Sequence, residues 1–539
     1  MDINTNLVNS YRKRELLFAQ AGNNDPAPSG SPEKIDYLII TRDMFVNSLQ
    51  PLVNKKTSQG LKVEVKTLEW IMSNVSGRDP QEKIRNYIKD KYQNNGLKWV
   101  LLAGDADGED DPVTDPTINP VNIDKPWEIP LRYIYFPNKE GAGRYYYVPT
   151  EYYYAGLDGN WDGNNDGTYS VSEISLTPRV YVGRLPAQTT EEMANMVNKI
   201  VNYVPPSDPK FLLVGARMEP TPSSYECSGD CEYVASNCIP AKVSTSKLYS
   251  KNNNLNKGNM LDQINNGNNT FVKTTGHGNS YSISAEHIPY IDRSDVANLT
   301  NTRPLLWYDQ ACFSAYFEPR GNEESIAEAL VKKATGGAIA FIGSMREAAD
   351  GPKLGANGNW DYSSIKGNLF WKDLFSRTYK PGESFYNVNS AWMQKRDMTE
   401  PSCKYIILSF NLLGDPELSI LNDITPPSIT VNPVATPTKG PVTLSYTVSD
   451  NVSPKEKIVV TGDKSPYAAE GQHNVTLTAK DEAGNTAAAT TSFVIKKSTT
   501  NGSPATTPPE PSKNSLWSYL AIGLAALIAM ILGVGKSKE

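Results

Sequence analysis

The sequence predicts an α/β/α region in two subdomains built on parallel β-sheet, followed by an all-β module and an apolar span of membrane length. Three observations carry that expectation. Apolar, β-branched runs alternate with helical periodicity from residue 35 to about 203, and the alternation resumes at residue 211 and runs to about 416. That is the pattern of strands joined by crossover helices. Between residues 426 and 495 short alternating runs are separated by turn clusters without helical stretches, as in a β-sandwich. Residues 516–535 form 20 residues without a charge, long enough to cross the hydrocarbon core of a bilayer.

Residues 1–34 are polar and rich in Pro, Ser, Gly and Asn, and read as a poorly ordered arm. The first subdomain, 35–206, opens on Ile35-Asp36-Tyr37-Leu38-Ile39-Ile40-Thr41. Helical periodicity follows over 45–58, a strand over 61–67, a helix over 80–94 and a strand over 99–103 that ends in Gly104-Asp105. The tyrosines from Tyr145-Tyr146-Tyr147 to Tyr152-Tyr153-Tyr154 read as strands packed at a domain face. Val180-Tyr181-Val182-Gly183-Arg184-Leu185-Pro186 is again a strand, and a helix over 190–203 leads to the boundary at Pro205-Pro206. The second subdomain, 207–422, starts at Phe211-Leu212-Leu213-Val214. It carries a helix over 324–335 and the strand Ala338-Ile339-Ala340-Phe341-Ile342-Gly343, and closes near residue 416. Two similar halves are implied.

The chemistry concentrates in the second half. The run Thr270-Phe271-Val272-Lys273-Thr274-Thr275 stops at His277, bracketed by Gly276 and Gly278, and residues 304–311 form a second run that stops at Cys312. In a doubly wound sheet, reactive groups gather at the carboxyl ends of parallel strands, so two neighbouring strands would present a Cys/His dyad to one cleft. A cysteine after an apolar strand is more often a small buried hydrophobe, and a lone histidine is more often structural. Their joint position at strand ends, with glycines that allow backbone to approach a ligand, favours the functional reading. Cys312 would attack a carbonyl as the thiolate, His277 would protonate the leaving amine, and the N–H groups of Gly278 and Cys312 would hold the oxyanion. The chain has three histidines, His277, His287 and His473, and His473 falls in the all-β module, so few other partners for the thiol exist. Five cysteines leave at least one outside any intrachain disulfide.

Asp162-Gly163-Asn164-Asn165-Asp166-Gly167, then five residues, then Glu173 matches the calcium-loop pattern D-x-[DN]-x-[DN]-G-x5-E. Asp162, Asn164, Asp166 and Glu173 would supply the oxygens that Ca2+ takes; an ordinary Asn/Asp/Gly turn is the bland alternative. The flanks read as strands, unlike the helices of an EF-hand. Asp158 and Asp309 show no such spacing and read as solvated or structural acids.

Taken in order, Val182-Gly183-Arg184-Leu185-Pro186, Gly276-His277-Gly278, Ala311-Cys312, Gly337-Ala338-Ile339-Ala340-Phe341-Ile342-Gly343-Ser344 and Asn411-Leu412-Leu413-Gly414-Asp415-Pro416 resemble the gingipain family of cysteine peptidases over about residues 35–421. The resemblance implies a caspase-like fold, an immunoglobulin-like domain behind it, and endopeptidase activity on proteins or peptides. By that resemblance His277 matches the catalytic histidine, Cys312 the nucleophile and Glu219 the glutamate that assists the histidine. Asp230, eleven residues after Glu219, matches the aspartate in the primary specificity pocket of the arginine-specific members. Two departures leave cleavage after Arg or Lys open. Phe313-Ser314-Ala315 follows Cys312 where those members have Val-Asn-Gly, and their pocket tryptophan has no counterpart between Met345 and Pro352.

Residues 423–497 form the all-β module, read as an Ig-like sandwich, 498–514 a polar linker, 515–535 a transmembrane helix and 536–539 a basic tail. Lys536 and Lys538 follow the span, and a basic tail prefers the cytoplasmic side, which puts the catalytic part outside the cell in a single-pass membrane protein. Met1 to Gln20 lacks the apolar run of a secretory signal, so the start reads as truncated, mis-assigned or processed. A net charge of -6 argues against a nucleic-acid partner. The competing class of function is a catalytically idle surface adhesin on the same fold, binding through the tyrosine tract and the all-β module.

Overall fold

Among the described residues fifteen strands precede the all-β region: β1 (Tyr37–Thr41), β2 (Val63–Thr67), β3 (Trp99–Ala103), β4 (Arg132–Tyr135), β5 (Tyr147–Thr150), β6 (Tyr181–Leu185), β7 (Lys210–Gly215), β8 (Ser244–Tyr249), β9 (Phe271–Thr275), β10 (His277–Gly278), β11 (Ser282–Ala285), β12 (Ile288–Asp292), β13 (Leu305–Asp309), β14 (Ala338–Ser344) and β15 (Phe410–Gly414). The computed structural model describes residues 33–106, 125–137, 147–221, 224–317, 324–348, 362–377, 379–395, 398–399 and 401–496. Ten of these strands form one sheet in the order β2-β1-β3-β6-β15-β14-β13-β9-β7-β8.

The sheet is two parallel halves. The strands of β2-β1-β3-β6 run parallel to their neighbours, and so do those of β8-β7-β9-β13-β14. In each half the first strand lies between the second and the third, the arrangement of a doubly wound sheet. The halves meet through β15, which pairs antiparallel with β14 and parallel with β6. The two expected halves therefore share one continuous sheet. Strands buried on both faces read as unbroken apolar runs, and Leu38, Ile39 and Ile40 in β1, Phe211 to Val214 in β7 and Leu305 to Tyr308 in β13 are all fully buried.

Local chemistry sets the helices. The helix Pro80–Asn95 starts at Asp79, whose side chain accepts from Glu82 N, has Pro80 at its first position, and stops at Gly96 in the left-handed region. The helix Tyr362–Ser376 lays Trp371 and Phe375 on β7 and β9, with Trp371 at 4.4 Å from Phe211 and Phe375 at 5.1 Å from Phe271 between ring centroids.

The motifs that carry the resemblance around residues 184 and 411 are structural. Arg184 pairs with Glu151 at 2.5 Å and donates to Gly104 O at 2.7 Å. Asn411 Oδ1 accepts from Glu151 N at 2.9 Å, and Asp415 binds Lys56 Nζ at 2.5 Å and Tyr37 Oη at 2.7 Å. These buried contacts tie β15 to the first half.

The tyrosine tract departs from its expected form. Tyr147 begins β5, which pairs antiparallel with β4, but Tyr152–Ala155 is one helical turn. Tyr152, Tyr153 and Tyr154 are buried, and Tyr152 Oη donates to Leu176 O at 2.7 Å, the polar partner that a buried phenol needs. Tyr145 and Tyr146 lie outside the described residues.

Residues 423–496 are all-β apart from one 3-10 turn. Their strands are Ser428–Val431, Tyr446–Ser449, Val459–Thr461, Gly471–Lys480 and Thr486–Ile495, in sheets of two and three. An immunoglobulin-like sandwich uses about seven strands, more than the described residues supply. Among the described residues no helix is long and apolar enough to cross a membrane. The arm over 1–32, the linker over 498–514, the span over 515–535 and the tail over 536–539 lie outside them.

Candidate active site

In the second half, β9 lies between β7 and β13, with Val272 beside Leu212 on one flank and Trp307 on the other. The chain leaves β7 toward β8 on one side and returns in β9 on the other. This is the reversal point where doubly wound sheets bind ligands at the carboxyl ends of their strands. Glu219 follows β7, His277 follows β9 and Cys312 follows β13, so the three come to one edge of the sheet.

The glycines beside His277 are required by close approach. Gly276 has φ +154, and a Cβ there would lie 2.4 Å from Ser284 O. A Cβ on Gly278 would lie 2.6 Å from both Ala311 Cβ and Cys312 O and 3.2 Å from Cys312 N. The backbone carrying the imidazole is thus pressed against the backbone carrying the thiol. On its other flank β10 pairs with β11, His277 opposite Ser284 and Gly278 opposite Ile283.

The cysteine turn is held from below. Asp309 closes β13 with its carboxylate fully buried; Oδ1 accepts from Thr274 Oγ1 at 2.5 Å and Oδ2 from Ala311 N at 3.1 Å. Trp307 Nε1 donates to Thr274 Oγ1 at 2.7 Å, and Phe313 N to Arg346 O at 2.9 Å. Burial pushes the Asp309 carboxyl up to about 6, against the opposing pull of its hydrogen-bond donors. Phe313, next to the thiol, has φ 58, a conformation that bulky residues keep only where the surroundings impose it. Of the five cysteines, four are buried and Cys312 is partly exposed. Burial pushes the Cys231 and Cys238 thiols up to about 12, which makes them inert beside a partly exposed thiol.

Glu219 is anchored by its own N–H, which donates to Ser224 Oγ at 2.8 Å. Its Oε1 lies 3.6 Å from His277 Nε2, within ion-pair range, and its Oε2 lies 3.0 Å from His287 Nε2. The two imidazoles stack with centroids 4.3 Å apart and planes at 14°. Nothing in the spacing of the sequence marks His287 as a member of this group. It sits at the tip of the β11–β12 hairpin, where Ala285 pairs with Ile288 across a two-residue turn, and both turn residues have positive φ, Glu286 at 50 and His287 at 64. That is the type I′ pattern, usually written with Asn and Gly, so Glu-His does not announce it. Arg217 holds the tip through Glu286, with Nη1 to Oε1 at 2.8 Å and Glu286 N to Arg217 O at 2.9 Å.

Asp230 does not join this group. It lies in the first turn of the helix Ser228–Asn237, fully buried, and pairs at 2.5 Å with the equally buried Lys273 of β9. Desolvation works against the ammonium of Lys273, but the charge of Asp230 wins and raises its pKa above the ordinary lysine value. A carboxylate neutralised in the core is not the open base of a pocket for a basic side chain. The signal was in the sequence: a lysine inside an apolar strand needs a buried acid.

The Asp162 loop turns its oxygens inward. Asp162 Oδ1 and Asn164 Oδ1 both accept from Asp166 N, at 3.1 and 2.9 Å, and Glu173 Oε2 accepts from Gly163 N at 2.6 Å. Asp166 Oδ1 accepts from Thr168 N at 2.7 Å, and Arg78 binds the buried Asp162. An all-oxygen set on a glycine turn fits the chemistry of Ca2+, with Arg78 as the competing cation. Among the described residues, the groups that bring ligand atoms within 4.8 Å of one another are Glu219 with His277 and His287, and Asp423 with Asp450 and Asp481.

A family model for peptidase family C25 matches residues 30–421. Gingipain R2 from Porphyromonas gingivalis is 22% identical over 290 residues, 52% of this chain and 32% of its own. Gingipain R1 from the same organism is 22% identical over the same share of this chain and 24% of its own length. The chain thus spans about a third or less of these curated relatives. Among solved structures, that of the Arg-specific cysteine proteinase gingipain R superposes with a TM-score of 0.52 at 18% identity, over 87% of this chain and all of that one. The complex of the pro- and mature domains of RgpB from P. gingivalis gives 0.51 at 17% identity, over 86% of this chain and all of that one. These likenesses establish a shared fold.

Proposed function

Because the chain belongs to peptidase family C25, we propose that it is a cysteine endopeptidase that cleaves proteins or peptides with Cys312 as nucleophile and His277 as its acid–base partner. The observation that carries this reading is the convergence of Glu219, His277 and Cys312 at the ends of β7, β9 and β13, with Gly278 packed against the cysteine turn.

In the first step the Cys312 thiolate adds to the scissile carbonyl. Its electron pair forms the S–C bond and the carbonyl π pair moves onto oxygen, where the N–H groups of Gly278 and Cys312 stabilise it. Collapse of the adduct breaks the C–N bond, and the imidazolium of His277 gives its proton to the departing amine. Water then attacks the acyl-enzyme, loses a proton to His277, and releases the carboxylic acid and the thiolate. Glu219, 3.6 Å from His277 Nε2, orients the ring. The Asp230–Lys273 pair cancels the charge that would select a basic P1 residue, so Asp230 supplies no preference for Arg or Lys.

We also propose Ca2+ for the loop of Asp162, Asn164, Asp166 and Glu173, supported by its motif and its inward-turned oxygens. A membrane anchor at 515–535, with the catalytic part outside the cell, is supported by the charge-free span and the lysines after it. An adhesin that binds through its tyrosine tract is disfavoured by the burial of Tyr152, Tyr153 and Tyr154. The test of function is turnover of a peptide amide by the wild-type chain and by Cys312→Ala, which must lose it.

A further inference from the structure

We propose that Glu219, His277 and His287 form a binding site for a divalent transition-metal ion of the zinc class, and that the ion switches the peptidase off by taking the Nε2 lone pair of His277. The switch rests on the catalytic reading of His277; the site rests on its geometry alone.

Two imidazoles and one carboxylate are the ligand types that zinc takes, and three protein ligands with an open fourth position are a common set. The two carboxylate oxygens are already divided between the rings, Oε2 at 3.0 Å from His287 Nε2 and Oε1 at 3.6 Å from His277 Nε2, and the ligand atoms lie within 4.8 Å of one another. Two ring nitrogens on one tetrahedral zinc stand about 3.3 Å apart, given Zn–N bonds of about 2.0–2.1 Å. Rings stacked with planes at 14° carry nearly parallel lone pairs, so the exposed His287 ring turns about its side-chain bonds to bring its Nε2 onto an ion held at His277.

His277 Nε2 is a buried ring nitrogen without a hydrogen-bond partner, although it faces the Glu219 carboxylate. A catalytic dyad alone does not explain why a second imidazole is held over the first on a turn whose two non-glycine residues both have positive φ. The hairpin tip is fixed by the two Arg217–Glu286 contacts, so His287 is presented rather than left to wander. A metal ion accounts for both features. It gives His277 Nε2 a partner and uses His287 as the ligand that the peptidase chemistry leaves idle. The nitrogen-rich set also predicts selectivity, because Ca2+ and Mg2+ prefer oxygen ligands.

While the ion is bound, His277 Nε2 cannot carry a proton, so the ring cannot become the imidazolium that the leaving amine needs, and removal of the ion restores it. No bond of the substrate is made or broken in the switch. Zinc availability would therefore set the fraction of active peptidase.

The test uses the full chain with Ca2+ present throughout, so that the Asp162 loop does not report. Zn2+ is titrated calorimetrically into Cys312→Ala, which removes the thiol as a competing ligand, and into Cys312→Ala/His287→Asn. Asparagine tolerates the positive φ at 287 and is a poor zinc ligand; circular dichroism confirms the fold. One Zn2+ per chain is expected, bound at least about ten-fold more weakly without His287, since losing even an outer-shell partner of a metal ligand costs about that much. Equal binding in the two proteins overturns the site. In the Cys312 chain, Zn2+ should inhibit turnover, the half-inhibiting concentration should rise by a similar factor in His287→Asn, and a transition-metal chelator should restore activity. His287-dependent binding without inhibition overturns the switch and leaves the site. Absence of any wild-type turnover overturns the catalytic reading, while the calorimetry still decides the site.

Discussion

The hydroxyl of Thr274, in β9, donates to the buried carboxylate of Asp309, at the end of β13, over 2.5 Å. It joins the strand that delivers His277 to the strand that delivers Cys312, three residues before each of them. Because Asp309 also accepts from Ala311 N, one carboxylate sets both the spacing of the strands and the start of the cysteine turn.

That carboxylate gives a pH prediction with a definite sign. The folded-state pKa of Asp309 is raised to about 6, so its contribution is complete below its unfolded value near 4 and is lost as pH rises through 6. The shift of about two units corresponds to about 3 kcal/mol. Asp309→Asn should remove this loss. The stability difference between wild type and variant, from denaturant unfolding at pH 4 and pH 7, should change by about that amount in the variant's favour. A difference that does not move with pH would mean that Asp309 is ionised without strain.

Gly278→Ala places a methyl 2.6 Å from Cys312 O. Backbone must shift, and overpacking of this kind costs about 1–3 kcal/mol. The displacement falls on the nucleophile, so kcat/KM should drop by about a hundred-fold, the scale of a misplacement near 1 Å, while most of the fold survives. An unchanged kcat/KM would show that the two backbones are not coupled.

Asp230 and Lys273 are fully buried partners. Lys273→Met leaves a buried charge uncompensated and should destabilise by about 3–5 kcal/mol, whereas the double variant Asp230→Asn/Lys273→Met should recover much of that. Thermal unfolding measures both. A peptide library varied at P1 gives the functional side: an Asp230→Asn variant that remains folded should keep the wild-type profile. A selective loss of cleavage after Arg or Lys would restore Asp230 as the specificity residue.

Calcium bound to the Asp162 loop of the native state should raise the melting temperature, by mass action worth about 2.7 kcal/mol at a hundred times Kd. Chelation should lower it, and Asp166→Ala should erase the calcium dependence. Protein shown by elemental analysis to hold calcium, with a melting temperature unmoved by its removal, would contradict a structural role.

Much of this arrangement was legible from the residues. Leu305-Leu306-Trp307-Tyr308 and Phe211-Leu212-Leu213-Val214 read as strands because a parallel sheet buried on both faces leaves no polar alternation. That His277 and Cys312 come to one edge of the sheet is expected from the strand-end rule for doubly wound sheets, and β9 and β13 are neighbours. The single sheet was not legible, because β15 joins β6 through Leu413 and Arg184, 229 positions apart by subtraction of their numbers. His287 escaped because Glu286-His287 is an unusual pair for a tight turn, and only the folded hairpin stacks its ring on His277. The buried pairing of Asp230 with Lys273 was not legible, because the spacing of Asp230 from Glu219 says nothing about Lys273.

The central claim is that Cys312 is the nucleophile and His277 its activator. It is tested most directly with an electrophilic peptide that traps the thiolate, followed by peptide mapping of the labelled protein by mass spectrometry. The expected result is one label per chain, on Cys312, absent in Cys312→Ala and formed about a hundred-fold or more slowly in His277→Ala, the scale of a lost acid–base partner. A label on another residue, or equal labelling rates with and without His277, would contradict the account.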